Sequence, residues 1–179
     1  GGSLGAERLN DALVALAERV ARDLPHVTLT FAAGKRDYDR TAANLKGSAA
    51  AGCPRISLLD YIYDMPVRMA AADLVVSRAG AMTVSELSLL GKAAVLVPSP
   101  YVADNHQLRN AQALVRAGAG VCVEEDGLPG GALERAVLPL LAQSAERAAM
   151  GQRLQEGFAC PDANERLCVE LLRLARGQA

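Results

Sequence analysis

Three short segments carry the residues best suited to chemistry. Gly1-Gly2-Ser3-Leu4-Gly5 opens one helical pattern, and Arg78-Ala79-Gly80-Ala81-Met82-Thr83 opens another. A helix N-terminus offers unpaired N–H groups and the positive end of a dipole, which suits a phosphate. Glycine there lets the backbone come close to a ligand. Neither string is a usual nucleotide fingerprint. The first lacks G-x-G-x-x-G spacing, and no G-K-[ST] lysine occurs. Taken alone, each is equally explained by the sterics of a tight strand-to-helix turn. Glu86 follows Gly80 by six residues. It fits a solvated helix carboxylate or a partner of Arg78 or Lys92, and it also fits an acceptor for a ribose diol, a role acidic residues play in dinucleotide folds. The third segment, Asp104-Asn105-His106-Gln107, gathers polar groups near a helix start. His106 could be a general base, but no carboxylate is placed by sequence to orient it. A polar ligand contact or a surface histidine fits better. His26, after Pro25, fits a surface loop. No Ser/His/Asp or Cys/His arrangement stands out, nor does a carboxylate pair of the glycosidase kind.

The elements that must position these residues alternate along the chain. Leu9, Leu13, Leu16 and Val20 recur at helical spacing up to about Arg22. Residues 27–34 (VTLTFAAG) are rich in strand formers, and the polar stretch from Asp37 to Lys46 predicts a short helix and loop. Residues 55–62 predict a second strand, 65–73 a short helix with Pro66 in its first turn, and 74–77 a third strand. A helix over 81–90 ends at Gly91, a fourth strand covers 93–98, and a helix over 104–117 has Asp104 as its N-cap. A fifth strand is predicted over 119–125, followed by helices at 130–142, 144–156 and 162–176, the last capped by Asp162. Such alternation means βαβ units and a mostly parallel sheet. The runs LVVS and AAVLVP are apolar throughout, as expected of strands covered on both faces. The fold class is α/β: a Rossmann-like, doubly wound parallel sheet in one domain. Ligands in such sheets bind beyond the carboxyl ends of the strands, and the three segments, two of them glycine-rich, fall at that one rim. A GGS turn that opens a helix normally follows a strand, and the first strand of such a sheet is commonly central. The expectation is a piece of a longer polypeptide beginning just after a strand, the alternative being a short natural or designed chain.

Composition excludes several classes. The chain has 179 residues, 51% apolar, 22% charged and 3% aromatic, with a formal net charge of −1. Near-neutral charge argues against a broad nucleic-acid surface, and high hydrophobicity argues against disorder. No run of about 18 apolar residues occurs, so no transmembrane segment is expected, and the start lacks the features of a signal peptide. With no Trp and only two Phe and four Tyr, alanine and branched aliphatics must fill the core. Cys53, Cys122, Cys160 and Cys168 form no C-x-x-C pair, so reduced and mostly buried thiols are expected instead of a zinc site or a disulfide framework.

Together, GGSLGAERLN, YIYDM, ADLVVSRAGAMTVSEL, LVPSPYVADNHQLRNA, AGAGV and PDANER occur in an order and spacing that span nearly the whole chain. They resemble the C-terminal domain of the bacterial peptidoglycan N-acetylglucosaminyltransferases of glycosyltransferase family 28. The most specific part is R-x-G-A-x-T-x-x-E, in combination with D-N-H-Q-x-x-N-A. The resemblance implies the C-terminal, donor-binding half of a GT-B fold, in which two Rossmann-like domains face a cleft. It implies transfer of GlcNAc from UDP-GlcNAc to undecaprenyl-pyrophosphoryl-MurNAc-pentapeptide (lipid I, giving lipid II), with inversion as the acceptor C4 hydroxyl attacks and UDP leaves.

By the same resemblance, Ser3 contacts the diphosphate, Ile62 offers backbone groups to uracil, and Tyr61 lies beside the base. Gly80 forms the turn into the second helix, and Ala81, Met82 and Thr83 line the GlcNAc and phosphates at its start. Glu86 binds the ribose hydroxyls, His106 and Gln107 contact GlcNAc hydroxyls, and Arg78 supports its loop. No metal ligand set and no required cofactor are implied, though magnesium could assist. The family's N-terminal domain holds the lipid I site, a Gly-rich loop with a candidate base, and a membrane-facing patch; residues 1–179 hold none of these. No catalytic residue is therefore assigned in this chain. The expected location of the complete enzyme is cytoplasmic and peripheral on the inner face of the plasma membrane. The 179 residues alone are expected to bind UDP-GlcNAc weakly and not to turn over. Two other functions remain open: a non-catalytic sugar-nucleotide-binding subunit, and the donor half of another family 28 UDP-sugar lipid transferase.

Overall fold

A computed structural model of the chain describes residues 6–176. Helix α1 (Glu7–Asp23) leads into strand β1 (Leu29–Ala32), helix α2 (Tyr38–Lys46) and strand β2 (Ile56–Leu59). Then come α3 (Met65–Ala71), β3 (Val75–Ser77), α4 (Ala81–Leu90), β4 (Ala94–Leu96), α5 (His106–Arg116) and β5 (Val121–Cys122). Helices α6 (Ala132–Ala142), α7 (Ser144–Phe158) and α8 (Ala163–Ala175) finish the chain. All strand pairing is parallel. β1 pairs with β2 from Leu29 opposite Ile56 to Ala32 opposite Leu59. β4 lies between β3 and β5. Among the described residues these are two sheets where one was expected, and β1 and β3 each pair on one side only.

One apolar core nevertheless joins the two sheets. Leu9, Leu13, Leu16 and Val20 on one face of α1 pack with Phe31 of β1, with Val95 and Val97 from β4 and the residue beyond it, and with Leu133, Val137 and Leu140 of α6. Side chains alternate along a strand, so β4 turns Ala94 and Leu96 to the other side. There they meet Met69, Ala79, Leu87, Ala111, Leu114 and Leu154. Each fully buried Leu or Val contributes about 1.5–3 kcal/mol. Both faces of β4 are therefore covered, as its apolar run predicts.

Local signals fix the helix ends. Gly91 adopts the left-handed conformation (φ 58°) that closes α4, its N–H reaching the carbonyls of Leu87 and Ser88. Arg55 caps the C-terminus of α1 from a distance, its guanidinium donating to the carbonyls of Val20, Ala21, Leu24 and Val27 at 2.7–3.1 Å. α7 rests on the last turn of α4 at Gly151, where a Cβ would overlap the carbonyl oxygen of Gly91 and lie 2.9 Å from its carbon.

Several expectations are corrected. Asp104 is not the N-cap of the helix after β4: it and Asn105 are both left-handed (φ 53° and 49°), and Asn105 occupies the N-cap position of α5 without a side-chain capping bond. A 3-10 turn, Ala103–Asn105, takes the first residues of that predicted helix. The fifth strand shrinks to Val121–Cys122 because Glu125–Gly130, with Pro129 inside, coils into another 3-10 turn. Asp162 does sit at the N-cap of α8 but makes no capping bond, because its carboxylate takes Arg166 at 2.8 Å. The cysteines are all free, but Cys53 and Cys122 are half-buried and Cys160 and Cys168 exposed. Aliphatic residues supply most of the core, with Cys122 alone of the four packed against the cluster around Leu96 and Leu114.

Candidate functional site

The rim at the carboxyl ends of the strands collects the candidate residues on three segments. After β2 come Asp60 to Asp64, leading into α3. After β3 comes the turn Arg78–Gly80 into α4, and after β4 the segment 97–107 into α5. α3 and α5 both pack against α4, and Met69 of α3 shares the buried cluster of Leu87 and Ala79. The three segments therefore converge around the start of α4.

That start is built for an anion. The first intrahelical bond of α4 is Val84 N–H to Gly80 O, at 3.0 Å. The N–H groups of Gly80, Ala81, Met82 and Thr83 thus precede the helical ladder. No side chain caps them and no acidic residue stands in the first turn. Space above Gly80 is open: a Cβ built there meets nothing within 4 Å, and its φ of −67° is ordinary. Glycine is therefore not needed for the fold of this turn, and the open space lets a ligand reach the amides. α1 presents the opposite case. Asp37 reaches across from the turn before α2, and its Oδ2 accepts the N–H of Ala6 at 3.1 Å. A carboxylate already sits at that helix end, with Glu7 in the first turn. Ser3, the candidate in the first glycine turn, lies outside the described residues.

The other candidates are placed as follows. Glu86 is exposed one and a half turns into α4 and makes no ion pair among the described residues. Arg78, its suggested partner, is turned inward to Glu125 instead. Tyr61 and Tyr63 are exposed and meet edge to face, with centroids 4.9 Å apart. Ile62 between them is half-buried. The Tyr61 N–H is taken by Asp60 Oδ1 at 2.7 Å. Arg68 hydrogen-bonds Asp64 at 2.7 Å and holds its carboxyl below the usual carboxylate range. Met82 is 75% exposed, a large apolar side chain held in solvent beside the α4 amides. Gln107 is half-buried and accepts the N–H of Ser99 through Oε1 at 3.0 Å, which fixes which face of its amide looks outward. His106 is exposed, and its Nδ1 lies 2.9 Å from the carbonyl of Ala103. A backbone carbonyl orients this ring, so the carboxylate that sequence could not supply is not required. His26 is exposed.

Two residues of the site were not legible as such. Asn110 donates Nδ2 to the carbonyl of Ala79 at 3.0 Å and ties α5 to the α4 turn. Its spacing, four residues after His106, puts the two on one helix face and was the available signal. Glu125 meets Arg78 from a 3-10 turn that no periodicity announced. Two cavities, of about 590 and 490 Å³, lie elsewhere, one between Arg19 and the start of α6 and the other along β5 and the turn that follows it. The candidate residues line neither; they form an open half-cleft.

A parallel sheet with helices on both faces, and anion-ready amides at its carboxyl rim, defines a Rossmann-like α/β domain of the kind found in GT-B glycosyltransferases. The chain belongs to glycosyltransferase family 28, as its C-terminal domain: that family's model matches residues 1–167. One relative is the UDP-N-acetylglucosamine–N-acetylmuramyl-(pentapeptide) pyrophosphoryl-undecaprenol N-acetylglucosamine transferase of Acetivibrio thermocellus. It is 48% identical over 128 residues, 72% of this chain and 34% of the relative. The enzyme of the same name from Exiguobacterium is 40% identical over 167 residues, 93% of this chain and 44% of the relative. The chain thus spans less than half the length of either. Among solved structures, Acinetobacter baumannii MurG superposes with a TM-score of 0.76 at 29% identity, covering 97% of this chain and 48% of that one. The glycosyltransferase VinC, at 18% identity and a TM-score of 0.70 over 96% of this chain and 40% of its own, shares the fold.

Proposed function

We propose that this chain is the donor-binding half of an inverting N-acetylglucosaminyltransferase that takes UDP-GlcNAc and delivers GlcNAc to lipid I. The observation that carries the reading is the α4 N-terminus, open and free of acid, with Glu86 on the same helix and His106–Gln107 on the neighbouring one. Family membership and the names of the relatives support the choice of donor and acceptor.

In this reading the diphosphate lies on the amides of Gly80 to Thr83. These amides are fixed before the ligand arrives, so they stabilise the charge that grows on departing UDP without reorganising. Glu86 accepts both ribose hydroxyls. A donor lacking that diol leaves the carboxylate unpartnered, which discriminates against it. Ile62 meets uracil through its backbone, and Tyr61 flanks the base. Ser3 adds a diphosphate contact, and His106 and Gln107 hold GlcNAc hydroxyls. The acceptor C4 hydroxyl attacks the anomeric carbon, the bond to the UDP oxygen breaks, and the proton leaves to a base outside residues 1–179. The amides need no resident metal to meet the diphosphate; magnesium, where it assists, arrives with the nucleotide. The acceptor lipid places the complete enzyme on the inner face of the plasma membrane. No helix among the described residues is long and apolar enough to cross a membrane.

Calorimetry with UDP-GlcNAc, UDP-glucose and UDP tests the site. UDP-GlcNAc is expected to bind best, and Glu86→Ala to weaken it by about 10- to 100-fold, the cost of one lost charged acceptor. Binding of none of the three would overturn the site. Equal binding of UDP and UDP-GlcNAc would keep the nucleotide site and remove the sugar contacts.

A further inference from the structure

We infer that Glu125, acting through Arg78, is a positioning residue for the diphosphate end of the donor, an inference that rests on the donor reading above. The two side chains form a buried ion pair, Arg78 Nη1 to Glu125 Oε2 at 2.6 Å, with 14% and 6% of the side chains exposed. The same Nη1 donates to the carbonyls of Val97 and Pro98, each at 3.2 Å. Its hydrogens are aimed at those carbonyls. Glu125 Oε2 therefore has no aligned donor among the described residues and meets Arg78 as a charge.

The consequence is mechanical. Arg78 begins the turn into α4, Val97 and Pro98 begin the segment that leads to His106, and Glu125 begins the turn after β5. One guanidinium thus joins three consecutive rim segments. Ala79, next in the chain, is fully buried, and its carbonyl is held by Asn110. With Arg78 and Ala79 both fixed, the amides of Gly80 to Thr83 have one direction to point. The Nη1 group of Arg78 is taken up by this clamp. Glu125 supplies the counter-charge that keeps the guanidinium inside, where an unpaired charge is strongly disfavoured.

The test uses the full reading frame that contains this chain, with Kd for UDP and for uridine read by NMR titration. Glu125→Gln removes the counter-charge and keeps the shape. The double variant Arg78→Met/Glu125→Leu removes both charges, a replacement that buried pairs often tolerate. Each is expected to weaken UDP about ten-fold, as expected when a helix N-terminus loses its aim on an anion, while leaving uridine within about two-fold. The double variant is expected to regain melting temperature lost by the single one without regaining UDP. A merely structural pair would move both ligands together or neither. An unchanged ratio of the two Kd values in either variant, folded at the assay temperature, overturns the positioning role. Failure of the parent protein to bind UDP and uridine at all would instead overturn the donor reading, and this inference with it.

Discussion

Replacing Gly151 by alanine tests whether α7 sets the seat of α4, the helix whose first turn forms the candidate anion site. An added Cβ would overlap the Gly91 carbonyl oxygen, lie 2.9 Å from its carbon and come within 3.5 Å of the Ala93 nitrogen. All three are backbone atoms. They are held by the left-handed turn at Gly91, by Lys92 N–H on Leu87 O at 3.1 Å, and by Gln155 on the carbonyl of Leu89. Carbon atoms need about 3.5 Å, so α7 must withdraw by roughly 0.6 Å or more. A gap of that size forfeits about a quarter to a half of the dispersion contact. The losers are Met150 and Leu154, which bring about 1.5–3 kcal/mol each when buried. The loss is then about 1–3 kcal/mol, the usual cost of overpacking. Alanine returns about 1 kcal/mol of helix propensity. Because the carbonyl overlap is severe, the upper half of the range applies, and the net destabilisation is about 1–2 kcal/mol. For a chain of this size that lowers Tm by about 2–8 °C. Urea denaturation reads the change as a lower midpoint at unchanged m. Gly157→Ala, in the same helix with nothing within 4 Å of its Cβ, is the control and is expected to be neutral or up to about 1 kcal/mol stabilising. If Gly151→Ala is as stable as its parent while the control behaves, the close seat of α7 on α4 is refuted.

Other outcomes follow from single contacts. Arg55→Ala leaves four carbonyls at the end of α1 without their shared donor and is expected to cost about 2 kcal/mol in urea denaturation, with lysine, which lacks the fork, recovering only part; a loss below about 0.5 kcal/mol would sink the capping argument. Among the thiols, Cys160 is exposed, whereas burial, helped by the nearby Glu124 charge, pushes the Cys122 thiol up. Less thiolate means slower alkylation, so mass spectrometry of a timed iodoacetamide reaction should find Cys160 modified well before Cys122, and the reverse order would contradict the placement of β5.

Much of the fold was legible because it is written in local periodicity. The apolar stripe of α1, the continuous run of β4 and the helix over 81–90 ending at Gly91 are patterns a single segment carries on its own. The candidate rim residues were nameable for the related reason that ligands in this class sit beyond the strand ends: Gly80 to Thr83 follow β3 within a few residues, and Glu86 and His106–Gln107 lie on the helices that come after β3 and β4. The double left-handed turn at Asp104 and Asn105 was not legible. Either residue is an ordinary N-cap by type, and only the path from β4 to α5 decides which one occupies that position. The cysteines were misjudged in burial for a similar reason, since their type says nothing of which face a half-covered strand end or the outer helix α8 presents.

The sequence by itself determined the class: alternating periodicities and apolar strands allow little besides an α/β parallel fold, and glycine turns before helices mark where anions can bind. Only the tertiary structure decided which groups stand at the helix starts among the described residues. Asp37, thirty-one residues along the chain from Ala6, brings a carboxylate to the start of α1, and among the described residues no counterpart caps α4. It likewise decided that Arg78 faces Glu125 across 2.6 Å and not Glu86 on the helix that follows it. Arg78 and Glu125 meet because β3, β4 and β5 run parallel in one sheet and bring their carboxyl ends together, and no spacing within a single segment encodes that meeting.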